Sequence, residues 1–410
     1  MPKSHNNISE SEGALRKALA GILLGDSDTA HLASRTIEDS NGWAFAIQMA
    51  ARWSVIPRLV ERQRELDITL PPDDQAQLRR FFSQSYARSA YRAAQGVAAL
   101  NCLEKAGIRA AAFKGLASVA LLYGGPDGRT IGDSDVLVAE PDLPAAAAAL
   151  IEAGFTQQES FAVAVLDRFA ERAPKFAGNK AIVFTARNRA EIDLHWSVGL
   201  GSVGAAEILS ATETCLILGQ PVRVVSPLYG ALLTARHAIR EDFSPDMMFR
   251  DLLDLRLWLK AIQSRGQMIP FVLLARQAGC LASIGAAALI AARFDRHAAG
   301  EAAELQSSLT PHEEHQALDL AFLFQAQLST GSLGRDLVWL CHGKPLHSIF
   351  SALTNWSEHR AVMRSMETRI DGRELPLRQR LGNLVSDLRR SGFGKLRRVR
   401  TLSRLKYDSR

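Results

Sequence analysis

Cysteines, signal-like segments and long apolar runs are scarce in this sequence, and each shortage argues against a class of protein. Four cysteines are scattered over 410 residues without a CxxC spacing, which is unlike a disulfide framework or a zinc ribbon. No apolar run approaches the roughly 20 residues that span a bilayer. The first residues show neither the basic start nor the apolar stretch of a secretory signal. We therefore expect a soluble, cytoplasmic protein whose cysteines are reduced.

Net positive charge is also lacking until the end of the chain. The net charge is +6, but residues 378–410 hold eleven Lys or Arg and two Asp, so the residues before them carry −3. A long nucleic-acid channel is therefore not favoured, because such a channel needs many basic side chains. The alternation of apolar and basic residues in this tail suits contact with an anionic partner, such as a membrane surface, an RNA or a protein. A solvated tail is the alternative.

The rest of the chain has an ordinary globular balance, with 47% hydrophobic and 22% charged residues. Single cores stop growing below about 300 residues, so the length predicts more than one packed unit. Apolar residues recur every three or four positions in segments 15–24, 43–66 and 73–106, which predicts helices. The predicted division is an N-terminal helical region at 1–107, an α/β core at 108–226, a C-terminal helical domain at 227–377 and a basic tail at 378–410.

The segment between the two helical regions alternates between strand and helix patterns. Strands are predicted at 108–113, 131–139, 181–185, 191–198 and 222–225, with the third and fourth forming a hairpin. A helix is predicted at 141–153, closed by Gly154 in a left-handed cap. The predicted fold class is therefore α+β, a small α/β core flanked by helical regions.

Two aspartates separated by one residue lie in the predicted strand 131–139. The period of two along a strand points Asp133 and Asp135 to the same face. Two carboxylates within a few ångströms repel each other unless a cation lies between them. Mg²⁺ prefers oxygen ligands, commonly one or two carboxylates together with substrate phosphates. Taken alone, the pair also fits a solvated strand end.

A third aspartate lies in the predicted strand 191–198. Asp193 and His195 share one face of this strand with Glu191, whereas the alternate residues, Ile, Leu and Trp, suit the core. If this strand neighbours the strand 131–139, Asp193 turns toward Asp133 and Asp135. Three carboxylates around divalent ions are the arrangement that phosphoryl and nucleotidyl transfer uses.

The spacing of these motifs resembles a known family. The resemblance rests on Lys114-Gly115 before an apolar segment, Arg129 ahead of the motif 133–138, Gly154 after a helix, and the motif 192–196. Together these look like the uncharacterised bacterial nucleotidyltransferase-like family of the DNA polymerase β superfamily. The resemblance spans roughly residues 108–196 and extends more loosely through 232–237 and 250–255 in the helical region. The pairing of the two carboxylate motifs is its most specific part.

The resemblance implies roles for individual residues. Asp133, Asp135 and Asp193 would be metal ligands and catalytic carboxylates, and Asp193 would also act as general base. Four further residues would contact the nucleotide: Lys114, Gly115, Arg129 and His195. For Arg129 the alternative is a structural pairing with an acid. For His195 the alternatives are to orient a carboxylate or to be a buried, hydrogen-bonded histidine. The family usually has a Gly-Ser pair where this chain has Lys114-Gly115. The implied cofactor is Mg²⁺ or Mn²⁺, with an NTP as co-substrate.

The implied activity is nucleotidyl transfer from an NTP to an acceptor hydroxyl or phosphate, with release of pyrophosphate. The sequence leaves the acceptor open between a small molecule, a peptide or protein side chain and an RNA end. The alternative is a non-catalytic protein that keeps the fold and docks on a partner, an RNA or a membrane through its basic tail.

Other polar residues on predicted helices are interpreted as structural. His237, Asp251 and Asp254 have spacings that suit hydrogen bonds and ion pairs between packed helices. His312 and His315 lack the HExxH spacing and a third ligand, so a zinc site is not predicted there.

Overall fold

Helices surround one seven-stranded sheet in this protein. A computed structural model describes residues 10–158, 181–186, 190–240 and 245–330. The helices are α1 (Glu10–Leu24), α2 (Ser27–Asp39), α3 (Trp43–Arg52), α4 (Ile56–Glu65), α5 (Pro72–Lys105), α6 (Gly115–Ser118), α7 (Leu143–Glu152), α8 (Ala205–Ser210), α9 (Pro227–Arg240), α10 (Pro245–Ser264), α11 (Met268–Gln277), α12 (Leu281–Phe294), α13 (Ala298–Ser307) and α14 (Pro311–Thr330). The strands are β1 (Ala110–Ala112), β2 (Ser134–Val138), β3 (Thr156–Gln157), β4 (Ala181–Thr185), β5 (Glu191–His195), β6 (Thr212–Ile217) and β7 (Gln220–Val225).

The sheet is mixed, with strand order β3-β4-β5-β2-β1-β7-β6. Strands β2 and β5 are parallel neighbours at its centre. Strand β1 pairs with β2 in antiparallel fashion and with β7 in parallel fashion. The predicted hairpin of β4 and β5 is confirmed by their antiparallel pairing. The α+β class predicted from the sequence is therefore confirmed.

The long helix α5 packs along the sheet and contacts strands β1, β2, β5 and β7. It begins at Pro72 with Asp73 and Asp74 in its first turn, where a fixed φ and negative charge both suit a helix start. Gly96 lets the helix approach β2 closely, because a Cβ atom there would lie 2.9 Å from Ser134 Oγ. Helix α5 therefore packs closely against β2, the strand that follows Asp133.

Helices from both ends of the described chain share an apolar core. Trp53, after α3, stacks on Phe249 of α10 with ring centroids 4.4 Å apart. Phe249 also contacts Phe324 of α14, at 6.0 Å between centroids. All three side chains are buried. These aromatic contacts tie the N-terminal helices to the C-terminal ones.

Several predicted boundaries differ from the structure. The predicted strand 131–139 is wrong at its start, because residues 131–133 form a loop that hydrogen-bonds to α5 and only Ser134–Val138 pairs in the sheet. The predicted helix 43–66 is two helices, separated at Ser54, which has φ 59°. Strands β3 and β6 are absent from the prediction. The division into four regions stays a prediction. Residues 331–377 of its C-terminal helical domain and its tail at 378–410 lie outside the described residues.

Candidate functional site

The central parallel strands bring two of the predicted carboxylates side by side. In the β2–β5 register Asp135 pairs with Asp193, and Leu137 pairs with His195. The residues that alternate with Asp193, namely Ile192 and Leu194, are fully buried. The alternation seen in the sequence therefore sets the orientation of β5, as predicted.

Asp135, Asp193 and His195 form a compact set of ligand atoms. One carboxylate oxygen of each aspartate and one ring nitrogen of the histidine all lie within 4.8 Å of one another. Asp133 is not a member of this set. It lies in the loop before β2, but its negative charge still raises the pKa of Asp193. The structure therefore brings Asp135, Asp193 and His195 together, whereas Asp133 lies beside them in the loop.

The two oxygens of Asp135 have different surroundings. Lys114 Nζ donates to Oδ1 at 2.5 Å, and His195 Nε2 lies 3.0 Å from the same oxygen. Oδ2 is buried and has no hydrogen-bond partner. The residue as a whole is 1% exposed. A buried carboxylate oxygen without a donor is costly, by about 1–3 kcal/mol or more for a charged group, so Oδ2 is a candidate ligand atom.

The charges around Asp135 and Asp193 act on the two carboxylates in opposite directions. Burial opposes ionisation of Asp135, but the Lys114 ammonium and the His195 hydrogen bond hold the pKa of Asp135 well below its usual range. Burial and the negative charges of Asp135 and Asp133 raise the pKa of Asp193 to about 7. The site is therefore short of positive charge at Asp193, which is where a bound cation would be most favourable.

Lys114 adopts a strained backbone that directs its side chain into this site. It lies two residues after the end of β1 and has φ 46° and ψ −120°, a region that residues with a Cβ atom rarely occupy. Strain of this kind persists only where the surrounding structure enforces it, and it clusters at functional sites. The Lys114 ammonium also lies 5.3 Å from the centre of the Phe113 ring. Burial is unfavourable to its charge, but the Asp135 carboxylate raises the pKa of Lys114 overall.

Gly115 is the first residue of α6 and directly follows Lys114. A Cβ atom at Gly115 would lie 3.0 Å from Arg129 Nη1, so a larger residue would press on that guanidinium. The predicted contact of Gly115 with a nucleotide stays a prediction. So does a nucleotide contact of His195, whose Nε2 is engaged with Asp135.

Arg129 lies beneath the site in a buried polar network. It is 4% exposed, and its Nε and Nη2 both contact the carboxylate of Asp254 on α10, with Nη2 at 2.7 Å from Oδ2. Tyr123 and Ser118 also donate to Asp254, at 2.8 Å and 3.1 Å. The predicted contact of Arg129 with a phosphate stays a prediction, whereas the structural role predicted for Asp254 is confirmed.

The other helical residues interpreted as structural have the same kind of contact. His237 Nδ1 of α9 lies 2.5 Å from Asp251 Oδ2 of α10. Burial disfavours the Asp251 charge, but the hydrogen bond and charge of His237 lower the pKa of Asp251 overall. This pair joins two adjacent helices, as predicted.

Sequence reasoning missed the residues of α5 that hold the loop before β2. Ser85 Oγ lies 2.8 Å from Thr130 Oγ1, the Ile131 N–H donates to Ser89 Oγ at 3.0 Å, and Arg92 Nη1 donates to the Ile131 carbonyl at 2.7 Å. The only signal available in the sequence is their spacing of three and four residues, which places them on one helix face.

These observations define an α+β protein whose central parallel strands carry a candidate divalent-metal site. Residues 39–295 match the model of a family described as uncharacterised nucleotidyltransferase, and this stretch is more than half of the chain. The chain belongs to that family, which confirms the resemblance seen in the sequence. A search of the curated proteins finds none that matches the chain. None of the described helices is both long enough and apolar enough to cross a membrane.

Proposed function

We propose that this protein is a divalent-metal-dependent nucleotidyltransferase that moves an NMP group from an NTP to an acceptor hydroxyl or phosphate and releases pyrophosphate. The observation that carries the proposal is the Asp135 carboxylate. It is buried next to Asp193, one oxygen is held by Lys114 and His195, and the other oxygen has no hydrogen-bond partner. An ionised carboxylate with one unbonded oxygen can accept a further cation as a partner.

The side chains present fit a small, hard cation. Asp135 and Asp193 offer carboxylate oxygens, which suit Mg²⁺ or Mn²⁺. His195 fits the position of a residue that orients Asp135, because its Nε2 already lies at Oδ1. Asp133, in the loop beside them, is the third carboxylate of the proposed site. When bound, the ion would neutralise charge on the phosphates and polarise the phosphoryl group.

In the proposed reaction the acceptor oxygen attacks the α-phosphorus of the NTP. An oxygen–phosphorus bond forms, the bond from the α-phosphorus to the bridging oxygen breaks, and pyrophosphate leaves with that electron pair. The Asp193 carboxylate accepts the proton of an acceptor hydroxyl. Lys114 keeps Asp135 ionised through their contact.

The proposal retains Lys114 and Gly115 as contacts of the nucleotide. Lys114 is 23% exposed in its side chain, so part of it remains open to a phosphate of the NTP. Gly115 follows it at the same turn. Arg129 has a structural role in this proposal, because its guanidinium group pairs with Asp254 of α10.

The proposed acceptor is a compact molecule, such as a small metabolite or a peptide or protein side chain. The charge of −3 on the residues before 378 does not suit a long nucleic-acid track. The helical regions on either side of the sheet would shape the acceptor pocket.

The proposal is tested by titrating each NTP with Mg²⁺ into the full chain in a calorimeter and by following transfer of label from α-³²P-NTP to a panel of acceptors. The test variants are Asp135→Asn and Asp193→Asn. The matched control is Asp67→Asn, since Asp67 is exposed and its φ of 50° is one that Asn also tolerates. Circular dichroism establishes that each variant is folded.

We expect saturable binding of at least one NTP by the wild type and by Asp67→Asn, with loss of binding and of transfer in the two site variants. Absence of binding for every NTP would overturn the proposal. It would favour instead the non-catalytic protein that docks through its basic tail.

A further inference from the structure

Three arginines from two different helices lie near the loop that carries Asp133. Arg88 and Arg92 belong to α5, and Arg250 belongs to α10. We call these three residues the arginine cluster. Neither the family match nor the proposed metal site gives them a role.

The face of α5 that bears Arg88 and Arg92 is the face that meets this loop. Arg92 Nη1 donates to the Ile131 carbonyl at 2.7 Å, and Ser89 accepts from the Ile131 N–H at 3.0 Å. Arg88 lies one turn before Arg92 and is exposed. Residues four apart on a helix are neighbours on its surface, so Arg88 lies along the same edge of the loop.

Arg250 reaches the same loop from α10. Its Nη1 donates to the Thr130 carbonyl at 3.3 Å, and this atom would lie 3.8 Å from a Cβ atom at Gly132. Its Nε is buried without a hydrogen-bond partner. The nearest carboxylate oxygen, on Asp251, is 3.9 Å from Nε, and that carboxylate is engaged with His237.

The positive charges of Arg88 and Arg250 repel that of Arg92. Burial and the positive charges of Arg88 and Arg250 lower the pKa of Arg92, while Asp133 and Glu191 oppose that change. Within the described part of the chain, neither Arg88 nor Arg92 forms an ion pair with a carboxylate. The cluster thus has three cations, with Asp133, Glu191 and Asp251 nearby. No carboxylate of the described residues is paired with Arg88 or Arg92, which favours an anionic ligand.

We propose that the arginine cluster binds phosphoryl groups of a substrate beside the candidate metal site. The planar guanidinium group offers two parallel N–H donors that match phosphate oxygens. Several guanidinium groups together suit a di- or triphosphate better than a single carboxylate. Asp133 lies within electrostatic reach of Arg92 and is two residues from Asp135, so a phosphate chain held here would adjoin the reacting centre.

Two sources share this phosphoryl chemistry. One is the triphosphate of the NTP, and that assignment rests on the proposed function. The other is a phosphate group of the acceptor. Binding of phosphate by the cluster can be measured without catalysis, so the two proposals can fail separately.

The test is calorimetric titration of inorganic tripolyphosphate, without divalent ions, into the full chain. The variants are Arg88→Gln and Arg250→Gln. The control is Arg79→Gln, which removes the same charge from an exposed position of the same helix, about 13 Å further along it. Binding to the basic residues after 378 is common to all four proteins, so the comparison isolates the cluster.

We expect Arg88→Gln and Arg250→Gln each to weaken tripolyphosphate binding about tenfold or more, with Arg79→Gln within about twofold of the wild type. Unchanged binding in both cluster variants, or an equal loss in Arg79→Gln, would overturn the inference. Asp135→Asn should retain tripolyphosphate binding, because it leaves the arginines intact.

Competition distinguishes the two sources. If tripolyphosphate displaces an NTP analogue that cannot be cleaved at its α–β bond, in the presence of Mg²⁺, the cluster binds the donor triphosphate. If both bind together, the cluster binds an acceptor phosphate. If no NTP analogue binds while tripolyphosphate binding still depends on Arg88 and Arg250, the inference holds and the proposed function fails.

Discussion

Two buried aspartates in this protein, Asp135 and Asp254, have opposite surroundings. Both are 1% exposed, and both carry a cationic partner. Asp254 contacts Arg129, Tyr123 and Ser118, so both its oxygens are bonded. Asp135 has Lys114 and His195 on one oxygen and no hydrogen-bond partner on the other.

The contrast separates a structural carboxylate from one that is available to a ligand. A completed network such as that of Asp254 holds α10 against the residues before β2, and it leaves no lone pair for substrate. The incomplete hydrogen bonding of Asp135 leaves its Oδ2 atom available to a ligand, and this lowers the stability of the protein. Burial and charge alone do not distinguish the two aspartates, whereas the count of satisfied oxygens does.

Breaking the completed network should have the largest effect on stability. Asp254→Asn removes the charge that balances the buried Arg129, and we expect the free energy of unfolding to fall by about 3–5 kcal/mol. Urea denaturation followed by circular dichroism measures this. Asp67→Asn, at an exposed site, should change it by about 0.5 kcal/mol or less. A similar small change in Asp254→Asn would contradict the structural role of that carboxylate.

Removing the cation from the incomplete site should have a smaller effect that depends on metal. Lys114→Met leaves the buried Asp135 with His195 as its remaining partner, and we expect a loss of about 1–3 kcal/mol without divalent ions. Saturating Mn²⁺ should restore more stability to this variant than it adds to the wild type, because a bound cation replaces the lost positive charge. Thermal unfolding with and without Mn²⁺ measures both effects.

The matched control for that variant is Lys105→Met, at an exposed position at the end of α5. It should respond to Mn²⁺ as the wild type does. If Lys114→Met and Lys105→Met gain equally from Mn²⁺, the proposed link between Lys114 and the metal site is wrong.

Removing one hydrogen bond from the network of Asp254 should have the smallest effect on the free energy of unfolding. Tyr123→Phe removes a hydroxyl that donates to Asp254 Oδ1 at 2.8 Å, but Arg129 Nε still bonds the same oxygen at 3.0 Å. We therefore expect a loss of about 1 kcal/mol, measured by urea denaturation. A loss as large as that of Asp254→Asn would show that Tyr123, rather than Arg129, dominates the network.

The sequence predicted the centre of this site because alternation along a strand is a local property. The polar positions of β5 and its buried apolar ones follow from residues two apart, and the pairing of Asp135 with Asp193 follows once the two strands are neighbours. The family resemblance indicated that these two strands are neighbours. The helical regions were predictable for the same reason, from the spacing of apolar residues.

The positions of Asp133 and Arg129 were harder to predict, because they depend on distant helices. Hydrogen bonds from α5 take residues 131–133 out of the strand, and Asp254, far along the chain, binds Arg129. The strained turn at Lys114 is equally hidden, because φ 46° is unusual for lysine and nothing in the sequence marks it. Contacts between elements of large sequence separation decide each of these features.

The proposed function requires that the unbonded oxygen of Asp135 belongs to a divalent-metal site. Electron paramagnetic resonance of Mn²⁺, titrated into the wild type, Asp135→Asn and Asp67→Asn, counts bound ions without any need for catalysis. We predict that Asp135→Asn weakens Mn²⁺ binding at least about a hundredfold, since losing a group that merely supports a ligand already costs about 10- to 100-fold, while Asp67→Asn binds as the wild type does. Equal Mn²⁺ binding by all three proteins would contradict the claim.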